Sequence, residues 1–154
     1  MATVTPKTVV TMNVSGKAAS HARTDISVRD VGLVIDEPER LGGTNAGPSP
    51  TETFVGSLLG CLNVVSGRIA DRIGLTIEDF SATAEAQFDR RGVTMEEAIA
   101  VPFPRIDVTI DLRASGSDEA IEQLKADLSK FCPLSMLIRQ SGTELTKTWN
   151  VTKS

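Results

Sequence analysis

The sequence has few of the residues that build metal centres. Its 154 residues include two cysteines, Cys61 and Cys132, and one histidine, His21. These three side chains cannot complete a tetrahedral zinc site, and the cysteines do not form a C-x-x-C pair. We therefore expect no metal and no cofactor. From the residues alone, the cysteines are inert core residues, a structural bridge or a redox pair.

Long apolar runs and an excess of basic charge are also absent. The most apolar stretch, residues 54–65, is interrupted by Gly56, Ser57, Gly60 and Asn63, and falls short of the roughly 20 apolar residues of a membrane span. Twenty acidic against sixteen basic residues give a net charge of −4, which argues against a nucleic-acid partner. The N-terminus shows no secretion signal. We expect a cytoplasmic protein with reduced thiols that binds neither membrane nor nucleic acid.

The overall composition is typical of a globular domain. The chain is 40% hydrophobic and 23% charged, and it is long enough to bury a real core. No repeat or low-complexity tract divides it, so we expect residues 1–154 to form a single domain. Alternating apolar residues predict strands. These strands cover residues 8–14, 18–29, 32–36, 80–89, 105–112 and 145–151, with a hairpin turn at Ser15-Gly16-Lys17.

A long helix has the clearest signals in the chain. Ser49-Pro50-Thr51-Glu52 is a capping box with proline at the first helical position, and Gly74 is the expected stop. The helix should therefore run over residues 50–73. Its circumference is apolar or small up to Arg68, which predicts close packing and burial on several sides. Such burial in a small domain suggests that a second subunit covers it.

Two further helices follow, capped by Ser117 and opened by Pro133. Because proline favours the first helical position, Cys132 should be the N-cap of the last helix, where backbone N–H groups lower a thiol pKa. Burial of Cys61 in the long helix should instead raise its pKa. Lys147 breaks the apolar alternation of the final strand, so that strand should have an edge or a partly wet face.

Several segments, taken together and in order, resemble the OsmC/Ohr superfamily of organic hydroperoxide-reducing proteins. The resemblance spans residues 36–137. It rests on Asp36-Glu37-Pro38, on the stretch from Leu41-Gly42-Gly43 to Thr51-Glu52, on Gly60-Cys61 within the long helix, and on Cys132-Pro133-Leu134-Ser135. The resemblance implies an α/β (α+β) fold with strongly bent antiparallel sheets around two central helices. It also implies an obligate, intertwined homodimer with active sites at the subunit interface.

The same resemblance implies a thiol-dependent peroxidase. Cys61 matches the peroxidatic cysteine, whose thiolate attacks the peroxide, releases an alcohol and becomes a sulfenic acid. Cys132 matches the resolving cysteine, which condenses with that sulfenate to a disulfide. An external dithiol, a lipoyl group in the family, then restores both thiols.

The family also uses an arginine, held by a glutamate at the start of the central helix, to stabilise the thiolate. Arg23 is the best match, and Arg29 and Arg40 compete with it. The family glutamate directly follows the proline, whereas this chain has Thr51 there and Glu52 one residue later. One residue turns a helical side chain by about 100°, and the capping box alone already accounts for Glu52. We interpret His21 as an ordinary strand residue.

The sequence is therefore compatible with three functions. The leading one is a cysteine-based peroxidase for organic hydroperoxides that uses Cys61, Cys132, Arg23 and Glu52. A non-enzymatic thiol redox sensor or small-ligand-binding protein is the alternative, favoured by Thr51 in the glutamate position. The third is a dimeric structural or interaction protein with vestigial cysteines.

Overall fold

The computed structural model describes residues 8–154. They divide into a first unit that ends at Thr53 and a second unit, Phe54–Ser154. Within the described residues there are two three-stranded sheets and three α-helices. This mixture confirms the predicted α/β (α+β) fold class.

The first unit contains an antiparallel meander. Strands β1 (Ser15–Ala18), β2 (Arg23–Val28) and β3 (Val31–Asp36) lie in the order β1-β2-β3. The predicted strand over residues 8–14 is wrong, and the predicted turn at residues 15–17 lies inside β1. The actual turn forms at Ser20, whose hydroxyl accepts hydrogen bonds from the N–H groups of Ala22 and Arg23.

A buried carboxylate organises the loop after β3. Asp36 accepts hydrogen bonds from the Thr44 hydroxyl at 2.6 Å and from the N–H groups of Thr44 and Ala46, both at 3.0 Å. The Thr44 hydroxyl is the main cause of its lowered pKa. At Gly43 an added Cβ would lie 1.7 Å from the Glu37 carbonyl oxygen, so glycine is required there. This loop leads directly to the start of the long helix.

Helix α1 spans Pro50–Ile73, which confirms the predicted bounds. The capping box is formed: the Ser49 N–H donates to the Glu52 carboxylate at 2.8 Å, and the Glu52 N–H donates to the Ser49 hydroxyl at 3.4 Å. At the other end, Gly74 adopts a φ of +72°, the left-handed conformation that ends many helices. Both ends follow from local sequence.

The second unit has a mixed sheet, not a wholly antiparallel one. Strands β4 (Thr76–Gln87) and β5 (Arg105–Ser115) are antiparallel, whereas β6 (Glu144–Lys153) runs parallel to β5. Helices α2 (Asp118–Phe131) and α3 (Pro133–Gln140) form the crossover that a parallel pair needs. The sheet order β4-β5-β6 places β6 at an edge, as Lys147 predicted.

One face of α1 enters the core of the second unit. Its buried residues there include Leu58, Leu62 and Ile69, which cluster with the inward row of β5 and with α2. The opposite face is open: Val64 is 52% exposed, and an added Cβ at Gly56, Gly60 or Gly67 would meet no atom within 4 Å. The predicted burial on several sides, and the close packing at these glycines, are therefore wrong for the single chain.

Helix α1 is also long and apolar enough to cross a membrane by length and composition alone. Of the residues in its most apolar 18-residue stretch, 28% are buried. By this criterion the expectation that the stretch falls short of a membrane span is wrong. A core helix meets the same criteria, and one face of α1 packs into the core of the second unit.

Candidate functional site

The second unit brings the two cysteines into contact. The Sγ atoms of Cys61, on α1, and Cys132, between α2 and α3, are 3.4 Å apart. Both are free thiols; Cys61 is half-buried, and Cys132 is fully buried. A disulfide bond is about 2.05 Å long, so the sulfur atoms need to approach by little more than an ångström.

Cys61 faces a cavity of about 980 Å³ between α1 and α2. The α1 wall includes Val65, Arg68, Ile69 and Arg72, and the opposite wall includes Asp127 and Phe131. Arg68 lies seven residues after Cys61, two turns along the same face of the helix. The cavity therefore combines an apolar surface with two arginines and one aspartate beside one accessible thiol.

The surroundings of Cys61 oppose its ionisation. Burial raises the pKa of the Cys61 thiol, and the hydrogen bond with Cys132 acts in the same direction. The N–H of Leu134 and the charge of Arg68 act in the opposite direction without reversing the shift. This confirms the expected effect of burial.

The surroundings of Cys132 favour its ionisation. Cys132 is the N-cap of α3, as the sequence predicted, and Pro133 is the first helical residue. Burial opposes the charged form, but the hydroxyl and N–H of Ser135, which can donate to a thiolate, outweigh it and lower the pKa of Cys132. The hydrogen bond shared with Cys61 and the charge of Lys147 add to this effect. Cys132 is thus the more acidic thiol of the pair.

The first unit holds the other predicted site residues. Arg23 donates from Nε to Asp25 at 2.8 Å, and Arg29 has a φ of +55° in the turn between β2 and β3. The Ser49 N–H is the main cause of the lowered Glu52 pKa, and the charge of Arg40 contributes. Among the three candidate arginines, Arg40 is thus the one whose charge acts on the Glu52 carboxylate. His21 is exposed between β1 and β2.

Three residues near the thiols were not among the predicted site residues. Ser135 could have been found by counting three positions from the N-cap, and Arg68 by its i+7 spacing from Cys61. Lys147 breaks the alternation of the final strand, which predicts an edge or a partly wet face and not a position near a thiol. Its relation to Cys132 depends on how β6 packs against α3, which no local pattern reveals.

Comparison with known proteins identifies the family. The profile of the OsmC-like protein family matches residues 43–147. The chain therefore belongs to the OsmC-like family, within the OsmC/Ohr superfamily that the motifs resemble. No curated protein matches the chain.

Solved structures share the fold at low identity. An OsmC-like protein from Mycoplasma pneumoniae has a TM-score of 0.72 at 14% identity, covering 94% of this chain and 97% of that one. An organic hydroperoxide resistance protein OsmC from Legionella pneumophila has a TM-score of 0.62 at 19% identity, covering 95% of this chain and 99% of that one. The organic hydroperoxide resistance protein OhrB of Bacillus subtilis has a TM-score of 0.59 at 19% identity, covering 92% of this chain and 98% of that one.

Proposed function

We propose that this chain is a cytoplasmic thiol-dependent peroxidase that reduces organic hydroperoxides to alcohols. The observation that carries the proposal is the 3.4 Å contact between the two sulfur atoms, one at an open cavity and the other buried. Two structural relatives that carry the name organic hydroperoxide resistance protein lend support at the level of fold.

The proposed reaction uses Cys61 as the nucleophile because it is the thiol that reaches the cavity. Its thiolate attacks the terminal peroxide oxygen, the O–O bond breaks, and the alkoxide leaves and is protonated to the alcohol. Cys132 then attacks the sulfenic sulfur, so that a disulfide forms and water leaves. An external dithiol of the lipoyl class restores both thiols.

The lining of the cavity favours organic hydroperoxides over hydrogen peroxide as substrates. Its walls carry Val64, Val65, Ile69 and Phe131, which would bind an alkyl group by burial of apolar surface. Of the two arginines in the lining, Arg68 is the one whose charge acts on Cys61 and favours its thiolate. In this proposal Arg68 supports the nucleophile, and Arg23 and Glu52 remain candidates by family resemblance.

A second candidate function is a thiol sensor that is oxidised once and not turned over. The raised pKa of Cys61 favours it, because less thiolate slows attack on peroxide. The number of turnovers per chain distinguishes the two functions.

The first experiment measures consumption of tert-butyl hydroperoxide with dihydrolipoamide as reductant, with hydrogen peroxide run in parallel. Wild type should turn over many times and prefer the organic peroxide. Cys61→Ser should lose activity by at least about a hundredfold, since it removes the nucleophile. Cys132→Ser should form one sulfenate per chain and then stall.

The control is Ser57→Ala, an exposed position one turn before Cys61, which should keep wild-type rates. Oxidation that stops at one equivalent in the wild type, or activity that survives in Cys61→Ser, would contradict the peroxidase proposal.

A further inference from the structure

The N-cap of α3 differs from the N-caps of the two helices before it. In α1 and α2 the N-cap is a serine: the Ser49 hydroxyl accepts from the N–H three residues later at 3.4 Å, and the Ser117 hydroxyl accepts from the Ala120 N–H at 3.1 Å. In α3 the N-cap is Cys132, and among residues 8–154 its side chain makes no such capping hydrogen bond. A thiol therefore holds the acceptor position of this cap, and a neutral thiol accepts hydrogen bonds only weakly.

The donors that such a cap needs are present in the first turn of α3. The first hydrogen bond inside α3 runs from the Met136 N–H to the Cys132 carbonyl at 3.1 Å, so the N–H of Ser135 has no acceptor within the helix. The Ser135 hydroxyl is fully buried and has no hydrogen-bond partner in the part of the chain that the structure describes. Ser135 is the third helical residue, and a side chain at that position reaches back to the N-cap, as Glu52 does in α1 at 2.8 Å.

Negative charge on Cys132 would complete the cap. A thiolate is a strong acceptor, and hydrogen bonds to a charged group are about twice as strong as those between neutral groups. The positive end of the helix dipole also favours an anion at the N-cap. Cys61 lies in the middle of α1, where the backbone N–H groups already bond within the helix. The first turn of α3 therefore favours charge on Cys132 over charge on Cys61.

We propose that Ser135 closes the N-terminal cap of α3 when Cys132 carries negative charge, and that this cap makes Cys132 the sulfur that leaves when the Cys61–Cys132 disulfide is reduced. The proposal deepens the peroxidase function and rests on it for the disulfide. It gives the buried hydroxyl of Ser135 a part in recovery of the reduced protein.

The exposure of the two sulfur atoms sets the direction of the reduction. Cys61 lines the cavity, whereas Cys132 is 0% exposed, so a dithiol of the lipoyl class reaches the disulfide at Cys61. Its thiolate bonds to the Cys61 sulfur, the S–S bond breaks, and both electrons leave on Cys132. The second thiolate of the reductant then attacks the mixed disulfide, which releases Cys61 thiolate and leaves the reductant as a cyclic disulfide. The proton that each reductant thiol loses goes to solvent.

The first test titrates Cys132 by the ultraviolet absorbance of its thiolate, in a Cys61→Ser background. Ser135→Ala removes the hydroxyl and keeps the N–H, and should raise the pKa of Cys132 by about one unit, because the thiolate loses a donor. Ser66→Ala, which removes another buried hydroxyl without a partner, is the matched control and should titrate like the parent. The charge of Lys147 on β6 also acts on Cys132, and it is the same in every variant compared.

The second test forms the disulfide chemically with diamide and measures its reduction by dihydrolipoamide near neutral pH. Ser135→Ala should be reduced about threefold more slowly than the wild type and Ser66→Ala, because a thiol of higher pKa leaves more slowly. An unchanged Cys132 titration in Ser135→Ala overturns the proposal, as does an unchanged reduction rate, or a wild type that forms no disulfide with diamide. Neither readout needs peroxide turnover, so failure of the peroxidase assay would be a separate result.

Discussion

Ser135 shows how a single side chain can connect ionisation with stability. Its hydroxyl is fully buried and has no hydrogen-bond partner while Cys132 is a thiol. Donation to the thiolate helps to lower the pKa of Cys132 below its ordinary value of 9.0. A group whose folded pKa is lowered contributes stability above the unfolded pKa, and that contribution is lost as pH falls through the folded pKa.

The Ser135→Ala variant should therefore have a pH-dependent effect on the free energy of unfolding. At acid pH, below the lowered Cys132 pKa, the substitution should be neutral or stabilising by up to about 1 kcal/mol, because it removes an unsatisfied hydroxyl. At about pH 9 it should destabilise by about 1 kcal/mol, because the thiolate loses a donor. Urea unfolding at both pH values measures the difference.

The matched control is Ser66→Ala, since the Ser66 hydroxyl on α1 is also buried without a partner. Its effect should be the same at both pH values. A pH-independent Ser135→Ala effect would separate Ser135 from the ionisation of Cys132.

At the residue scale, the sequence predicts those properties of a side chain that depend on residues next to it in the chain. Pro133 predicts that Cys132 is the N-cap of α3, and this position and the expected effect of burial on Cys61 are both confirmed. The 3.4 Å contact between their sulfur atoms joins residues on different elements. That contact, like the relation of Lys147 to Cys132, depends on tertiary packing and could not be derived from spacing.

At the scale of elements, the prediction for α1 is correct and the prediction for residues 8–14 is wrong. The bounds of α1 were correct at both ends because Ser49, Glu52 and Gly74 act within one turn of the chain. The strand predicted at residues 8–14 was wrong because alternation requires a surface to bury one side. Val10 and Met12 are 69% and 82% exposed, so the alternation there reflects no buried face.

The N-terminal cap of α1 gives a prediction at this scale. Ser49→Ala removes the hydroxyl that accepts from the Glu52 N–H, and should lower the free energy of unfolding by about 1 kcal/mol. Ser49→Asp, which keeps an acceptor at the N-cap, should retain most of the stability in the same urea titration. Equal stability of Ser49→Ala and wild type would mean that the cap contributes nothing measurable.

At the scale of the whole molecule, the second unit leaves large apolar side chains exposed. They lie on α1 and around α3: Phe54, Val64, Phe131, Met136 and Leu137. Exposed apolar surface of this kind marks an interaction site more often than a free surface. We propose that a second copy of the chain covers it, as the family resemblance implies for the homodimer.

The homodimer predicts a sedimentation mass of twice the 16.4 kDa of one chain. Val64→Glu should shift the equilibrium to the monomer, because it places a charge on the exposed face of α1. Thr148→Glu adds the same charge at an exposed, polar position of β6, away from α1, and should leave the mass at that of the dimer. A wild-type mass of 16.4 kDa would contradict the homodimer.

The contact between the sulfur atoms also ties oxidation to the topology of the chain. A bond between Cys61 and Cys132 would enclose β4, β5 and α2 in a covalent loop. In the chain-entropy description, closing a loop of that size restricts the unfolded ensemble and stabilises the fold by about 4 kcal/mol. The oxidised protein would then melt at a higher temperature and resist proteolysis longer than the reduced one. The rate at which the protein is degraded in a cell would therefore depend on whether its two thiols are oxidised or reduced.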